Sequence, residues 1–282
     1  MQIFLGGAFL KMKKILYLTD LSYQAKGRDY CKEDIFITDW LKEHFDVVLC
    51  HPKCAAGFED QADLVVFRNT GGVSGFKDIY QSFVKRVKEK GLNTFNNFTG
   101  KADMKGKQYL VDLAAENYPV IPTVDSLQDL DRLPAVDRYV IKPKDGADSI
   151  GLEFLSKEEL LSRRFTDGET LIQPDVDFLY EVSFYYINDT LEYAMYAPDK
   201  TKRWELERYS YSEEDLAFAD QFIKWNSIEN GIQRVDACRT KDGRLLLVEL
   251  EDLNPYLSIL ELDEQTRNTF MEDLLEAFKR IL

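Results

Sequence analysis

The sequence predicts an α/β protein that becomes α+β towards its C-terminus, on three observations. Short apolar runs alternate with amphipathic stretches through the first hundred residues. Strand patterns separated by tight-turn dipeptides fill the last third, and the chain closes on an amphipathic helix. At 282 residues the chain fits two domains, or one large domain with lobes.

The elements follow in order. Ile15–Leu18, Val47–Cys50 and Leu64–Phe67 are strand-length apolar runs bounded by polar or turn residues, with amphipathic stretches at about 33–44 and 76–90. Strands alternating with helices predict a parallel sheet covered by helices. Met12 opens the first of these strands, and residues 1–11 read as an upstream extension with no structural role. A helix is expected over 103–117, stopping before Pro119 and Pro122. Tyr139–Pro143 is a strand entering a glycine-containing turn, and Ile150–Leu155 is its return. Ser156 with Glu159 three residues on has capping-box spacing and marks a helix start. Thr170–Gln173, Tyr180–Ile187 and Leu191–Ala197 read as strands, the last two joined by an Asn188-Asp189 turn. Ser212 with Asp215 caps a helix of about 213–225, and residues 264–282 form the closing helix. Between them, Ile232–Arg239 and Arg244–Leu250 form a hairpin around Asp242-Gly243.

Composition narrows the function. A net charge of −14 repels nucleic-acid phosphates and anionic membranes, so neither is expected as a partner, while a local basic pocket stays compatible with it. No apolar run approaches the ~18 residues of a membrane helix, and the N-terminal apolar residues precede their lysines, the reverse of a secretory signal. Cys31, Cys50, Cys54 and Cys238 are sparse and irregularly spaced, which predicts reduced thiols and a cytoplasmic protein. Cys50-His51-Pro52-Lys53-Cys54 lacks a second ligand pair nearby and reads as structure rather than a zinc site.

The residues that could carry chemistry begin with the hairpin. Glu249 and Glu251 share a strand face, and pairing could bring Asp236 beside them. Three carboxylates on one face need a cation, and hard oxygen ligands suit Mg²⁺ with phosphate oxygens completing the shell; a merely acidic exposed strand is an equal alternative on this pattern. Lys142 ends a strand and a small-residue loop, Gly146 to Gly151, follows; backbone N–H groups in such a loop can cradle phosphate, although a plain turn is the more frequent outcome. The spacing fits neither a P-loop nor a dinucleotide fingerprint. Arg68-Asn69-Thr70-Gly71-Gly72-Val73-Ser74-Gly75 follows a strand and precedes a helix, so its N–H groups could face an anion and Arg68 a substrate carboxylate, against the alternative of a tight glycine turn.

The order of these pieces is more specific than any one of them. A lysine (Lys107) before Pro122-Thr123, a lysine–proline pair with a glycine loop, a hinge with an acidic residue, Arg234-x-Asp236 and Glu249-x-Glu251 ahead of Pro255 succeed one another along the chain. This succession resembles the ATP-grasp superfamily over about residues 96–260, on its glutathione synthetase and D-alanine–D-alanine ligase side. Val248-Glu249-Leu250-Glu251 followed by Pro255-Tyr256-Leu257 resembles the cyclo-ligase type of cycloserine biosynthesis. The resemblance implies an ATP-grasp fold over 96–282, with a lobe boundary near 170, behind a Rossmann-like pre-ATP-grasp domain over 1–95. It implies that Lys107 and Lys142 bind nucleotide, that the loop holding Gly146, Ser149 and Gly151 closes over phosphates, and that Gln173, Pro174, Asp175 and Val176 form the adenine hinge. It further implies Glu181 as the ribose carboxylate, Asp236, Glu249 and Glu251 as metal ligands, and Arg234 with Lys142 as the groups acting at the transferred phosphate. The family places Asn where Glu251 stands, and Asn254 offers an amide three positions later. The segment Tyr196–Arg208 lacks a glycine pair of the nearest relatives, which bears on the acceptor pocket.

The function so implied is ligation of a small-molecule carboxylate to an amine or related nucleophile through an acylphosphate, with ATP and two Mg²⁺ ions, or Mn²⁺ in their place. A phosphotransferase and a non-catalytic nucleotide-binding module on the same fold remain the alternatives, and a homodimer is left open.

Overall fold

The computed structural model describes residues 11–25, 28–68, 77–145, 151–165, 168–202 and 205–282. The N-terminal unit opens with β1 (Lys14–Leu18), a short hairpin of β2 (Gln24–Ala25) and β3 (Arg28–Asp29), and helix α1 (Cys31–Leu41). It continues with β4 (Asp46–Cys50), β5 (Leu64–Phe67), helix α2 (Lys77–Lys90) and β6 (Thr94–Phe95). The sheet is parallel, in the order β4-β1-β5-β6. Alternation along β1 assigns its two faces: Ile15 and Tyr17 pack with α1 residues Ile37 and Leu41, while Leu16 and Leu18 pack with Phe83 and Val87 of α2. Burial on both faces explains why β5 is an unbroken apolar run. Full burial of a ring such as Phe67 or Phe95 contributes about 1.5–3 kcal/mol.

After α3 (Gln108–Ala115) comes an antiparallel sheet of β7 (Arg138–Pro143), β8 (Glu153–Ser156) and β9 (Thr170–Pro174), in the order β8-β7-β9. Helix α4 (Lys157–Ser162) packs behind it, with Leu160 among Tyr139, Ile141 and Ile172. Its predicted capping box is present: Ser156 N–H donates to Glu159 at 2.8 Å, and Glu159 N–H to Ser156 Oγ at 3.2 Å. The helix expected over 103–117 begins only at Gln108. Asp252, buried, accepts the Ala102 and Met104 N–H groups at 3.1 and 2.8 Å, and Gly106 takes φ +83°, so the chain turns before the helix can start and Lys107 becomes its N-cap.

The last part is a five-stranded antiparallel sheet built from β10 (Phe178–Ile187), β11 (Thr190–Ala197), β12 (Glu207–Arg208), β13 (Ile232–Thr240) and β14 (Leu245–Glu251), in the order β12-β11-β10-β13-β14. Helix α5 (Glu213–Asn226), capped by Ser212 and Asp215 as predicted, joins β12 to β13, and α6 (Glu264–Ile281) ends the chain. One face of this sheet carries Val182, Phe184, Val235, Ala237, Leu247 and Leu250 onto α3 and α5. A separate cluster joins Tyr185, Ile187, Tyr193 and Ile232 of this sheet to Phe270, Leu274 and Phe278 of α6 and to Ile15, Tyr17, Val66 and Phe95 of the N-terminal sheet. The N-terminal and C-terminal units therefore share apolar core, which fixes the first sheet against the open face of the last.

Candidate functional site

The face of the five-stranded sheet opposite the α3 and α5 core carries the polar residues. Residues two apart on β10, β13 and β14 place Glu181 and Ser183, Arg234 and Asp236, and Glu249 and Glu251 on it. The register sets Asp236 opposite Glu249 and Arg234 opposite Glu251. A β-bulge makes this so. Ala237 already pairs with Leu247, so Val248 is the extra residue on β14; without it Asp236 would face Val248, and the glutamates would turn into the apolar core.

Each carboxylate is tied to a neighbouring cation. Arg234 Nε and Nη2 donate to the two oxygens of Asp236 at 2.8 and 2.7 Å, and Nη2 also reaches Glu251 at 2.6 Å. Ser183 Oγ donates to Asp236 at 2.6 Å, and Arg234 Nη1 donates to the Tyr256 carbonyl at 2.7 Å. Lys107 Nζ donates to Glu249 and lies 4.0 Å from Asp103. Burial pushes the Glu251 carboxyl up to about 7 against the pull of Arg234. Burial also works against the Arg234 charge, but Asp236 and Glu251 hold its pKa well above the ordinary value.

The three-stranded sheet faces this cluster. Its Tyr139, Ile141 and Ile172 point back to α4, so Lys142, Val140, Gln173 and Leu171 lie on the opposite face. Burial, then the like charge of Lys107, pulls the Lys142 ammonium down to about 7, with Asp103 opposing. Burial raises the Asp103 carboxyl despite the fields of Lys107, Arg234 and Lys142. Lysines on one side and carboxylates with an arginine on the other thus meet around Asp103, between one sheet drawn from residues 138–174 and another from residues 178–251.

The structure brings together Lys107, Lys142, Arg234, Asp236, Glu249 and Glu251 from the expected set. Glu181 lies on the same sheet face two residues before Ser183, opposite Cys238. Gly151 takes φ +75°, with its Cβ position 2.9 Å from Pro143 Cγ of β7, so glycine fits where the chain returns towards β8. Gly146 and Ser149 lie outside the described residues, as do residues 69–75 of the expected anion turn and residues 203–204 of the segment lacking glycines. In the segment expected to form the hinge, Gln173 and Pro174 end β9, the Gln173 side chain donates to Thr123 Oγ1 at 2.7 Å, and Val176 follows the strand. The Asp175 N–H donates to the Arg138 carbonyl at 3.0 Å, and its carboxylate holds the Arg138 guanidinium at 2.9 Å, so that amide is committed within the sheet.

One expectation is corrected. Arg68 does not face a cleft: it is 1% exposed, donating to Glu33 at 2.8 Å and to the Pro255 carbonyl at 2.5 Å. The sequence signal for Arg68 was its place after a strand; what the sequence could not show is that α1 supplies Glu33 and Asp34 inside that corner. His51, in the cysteine-flanked segment, pairs with Asp20 at 3.0 Å and accepts the Lys53 N–H at 3.0 Å. Sequence reasoning missed Asp103, Ser183 and the half-exposed Phe154, which shares the site face of the three-stranded sheet with Val140. Asp103 was visible only as one more charge in a helix pattern.

Among the described residues, no three His, Cys, Asp or Glu side chains are arranged as a metal cage. The donor chemistry nevertheless fits a hard divalent cation: Asp236 and Glu249 are paired side by side, Glu251 is next along, and the positive charge they hold here comes from Lys107 and Arg234. Among the described residues, no helix is long and apolar enough to cross a membrane.

No protein-family model and no curated protein sequence matches the chain. Solved structures do. D-cycloserine synthetase DcsG superposes with a TM-score of 0.67 at 18% identity, over 93% of this chain and 99% of that one. D-alanine–D-alanine ligase from Bacillus anthracis, solved with ATP, gives 0.63 at 14% over 96% and 97%. ATP-grasp ligase PsnB, solved with a phosphomimetic variant of its minimal precursor, Mg and ADP, gives 0.62 at 14% over 95% and 99%. The chain has the ATP-grasp fold, as the order of its motifs implied.

Proposed function

We propose that this chain is an ATP-dependent ligase that joins a carboxylate to an amine through an acylphosphate. The observation that carries the reading is the meeting of Lys107 and Lys142 with Arg234, Asp236, Glu249 and Glu251 across two sheets. The ATP and the Mg with ADP bound to two neighbours of the same fold point to the same ligands here.

The residues divide the work by position. Lys107 and Lys142 would take phosphate oxygens, and Val140 with the exposed ring of Phe154 offers apolar surface towards the hinge for the base. Gln173 to Val176 would edge the adenine, and Glu181 would accept ribose hydroxyls. Asp236, Glu249 and Glu251 would hold Mg²⁺, which when bound neutralises charge on the phosphates. Arg234, fixed by Asp236, Glu251 and the Tyr256 carbonyl, would stabilise the charge that develops on the γ-phosphoryl group as it passes to the substrate carboxylate. The amine then attacks the acyl carbon and phosphate leaves with the C–O bond electrons. No protein nucleophile is required. The loop of residues 145–151 would exclude water from the acylphosphate.

Calorimetry with a non-hydrolysable ATP analogue tests the metal assignment. In the parent, added Mg²⁺ should tighten analogue binding at least tenfold. Asp236→Ala and Glu249→Ala should abolish that tightening while leaving the circular dichroism spectrum unchanged; parent-like Mg²⁺ dependence in both would remove the metal site.

A further inference from the structure

We infer that Arg68 and Glu33 are positioning residues for Arg234, acting through the backbone of residues 255–259; this rests on the phosphoryl-transfer role given to Arg234 above. The N-terminal unit thereby sets the geometry of a site that lies outside it.

The contacts form a continuous chain. Arg68 Nη1 donates to the Pro255 carbonyl at 2.5 Å, and Nη2 donates to Glu33 Oε1 at 2.8 Å. Glu33 in turn accepts the Leu257 N–H at 2.9 Å and the Ile259 N–H at 3.2 Å. Between these anchored residues stands Tyr256, whose carbonyl accepts Arg234 Nη1 at 2.7 Å. The Tyr256 ring stacks on Tyr30, with centroids 4.3 Å apart and planes at 17°. Ser258 holds φ +52°, a left-handed conformation that a non-glycine residue keeps only when its surroundings impose it.

Stability alone does not account for this arrangement. Glu33, Asp34 and Arg68 are each at most 1% exposed, and a buried ionic cluster is often no more stabilising than well-packed apolar side chains in its place. Apolar side chains, however, could not bind two backbone N–H groups and a carbonyl of one segment. Glu33 and Arg68 do so from both sides of the peptide that orients Arg234. Asp34 completes the corner, accepting from Tyr17 at 2.8 Å and Thr19 at 2.5 Å, with Arg68 Nε 3.7 Å away. If the segment slipped, the Tyr256 carbonyl would leave Arg234, whose fork would then be set by its carboxylates alone.

The test separates positioning from stability by comparing two ligands. MgADP fills the nucleotide site without a transferred phosphoryl group, and tetrafluoroaluminate added to MgADP mimics that group in flight. The parent should bind MgADP and bind it at least tenfold tighter with tetrafluoroaluminate. In Glu33→Gln and in Arg68→Lys, whose single ammonium cannot reach Glu33 and the Pro255 carbonyl together, the MgADP dissociation constant should stay within threefold of the parent. The tightening should fall to threefold or less. Tyr30→Leu removes the ring stacked on Tyr256 while leaving the buried charges, and reads out the same loss should a charge variant fail to fold. Folded variants with a lower melting temperature but the parent's full tightening would overturn the inference. A parent that binds no MgADP would instead overturn the nucleotide reading on which it rests.

Discussion

The Lys142 ammonium offers a quantitative test of the site. Burial and the facing Lys107 hold it at about 7 in the nucleotide-free protein, against an ordinary lysine value of 10.5. The negative charge of a bound nucleotide opposes both causes, so binding should return Lys142 to its charged form and take up a proton. At pH 8 a group of pKa 7 is ~0.9 deprotonated, so Lys142 by itself should draw up to ~0.9 proton from the buffer. When the charged form carries the affinity, the dissociation constant should weaken roughly 25-fold from pH 7.5 to 9, equal to ~1.9 kcal/mol. The sign is fixed: affinity falls as pH rises, because the proton that binding requires becomes scarcer. Glu251, also near 7, shifts in the same direction towards an anion but in the opposite direction towards a metal ion, so the titration belongs in EDTA with ADP. Calorimetry in buffers of different ionisation enthalpy reads the uptake directly. Lys142→Arg should bind with a clearly shallower pH slope, the remainder belonging to Glu251, and Lys142→Met weakly and with that same shallower slope. A parent with no buffer dependence at pH 8, or an unchanged slope in Lys142→Met, would refute the reasoning.

Two further outcomes follow from the same contacts. Lys107→Met removes the ammonium held by Glu249 and should let Mn²⁺ bind about tenfold tighter in the absence of nucleotide, measured by electron paramagnetic resonance, while ADP binds more weakly; weaker Mn²⁺ binding would contradict the assignment of Glu249. Asp215→Ala removes the capping-box partner of α5 and leaves Arg239, bonded to it at 2.5 Å, half-buried without that charge, which should cost about 3 kcal/mol by urea unfolding; a loss under about 0.5 kcal/mol would show that the cap and the pair contribute little.

Much of the fold was legible because its signals are local. The capping boxes at Ser156 and Ser212 and the turn at Asp242-Gly243, where Gly243 takes φ +86°, need only residues within a few positions of one another. Strands β1 and β5 were legible from apolar runs buried on both faces, and β4 from its apolar run at the sheet edge, where Val48 stays exposed. The helix start at Lys107 was misplaced because the residue that bends the chain there, Asp252, lies about 150 positions downstream. Arg68 was misread for the same reason, since its partners Glu33 and Pro255 stand far from it along the chain.

The sequence by itself determined which residue types are present, their order, and the periods that make strands and helices, because propensity and periodicity act over one or two turns of chain. Only the tertiary structure decided that Asp236 and Glu249 stand side by side, since a single bulge at Val248 selects between the site face and the core face of β14. It alone also set Asp103 between two lysines and made Arg68 a buried clamp. The reason is physical: electrostatic fields and burial depend on distances through space, and those arise from packing between segments that the chain separates by a hundred residues or more.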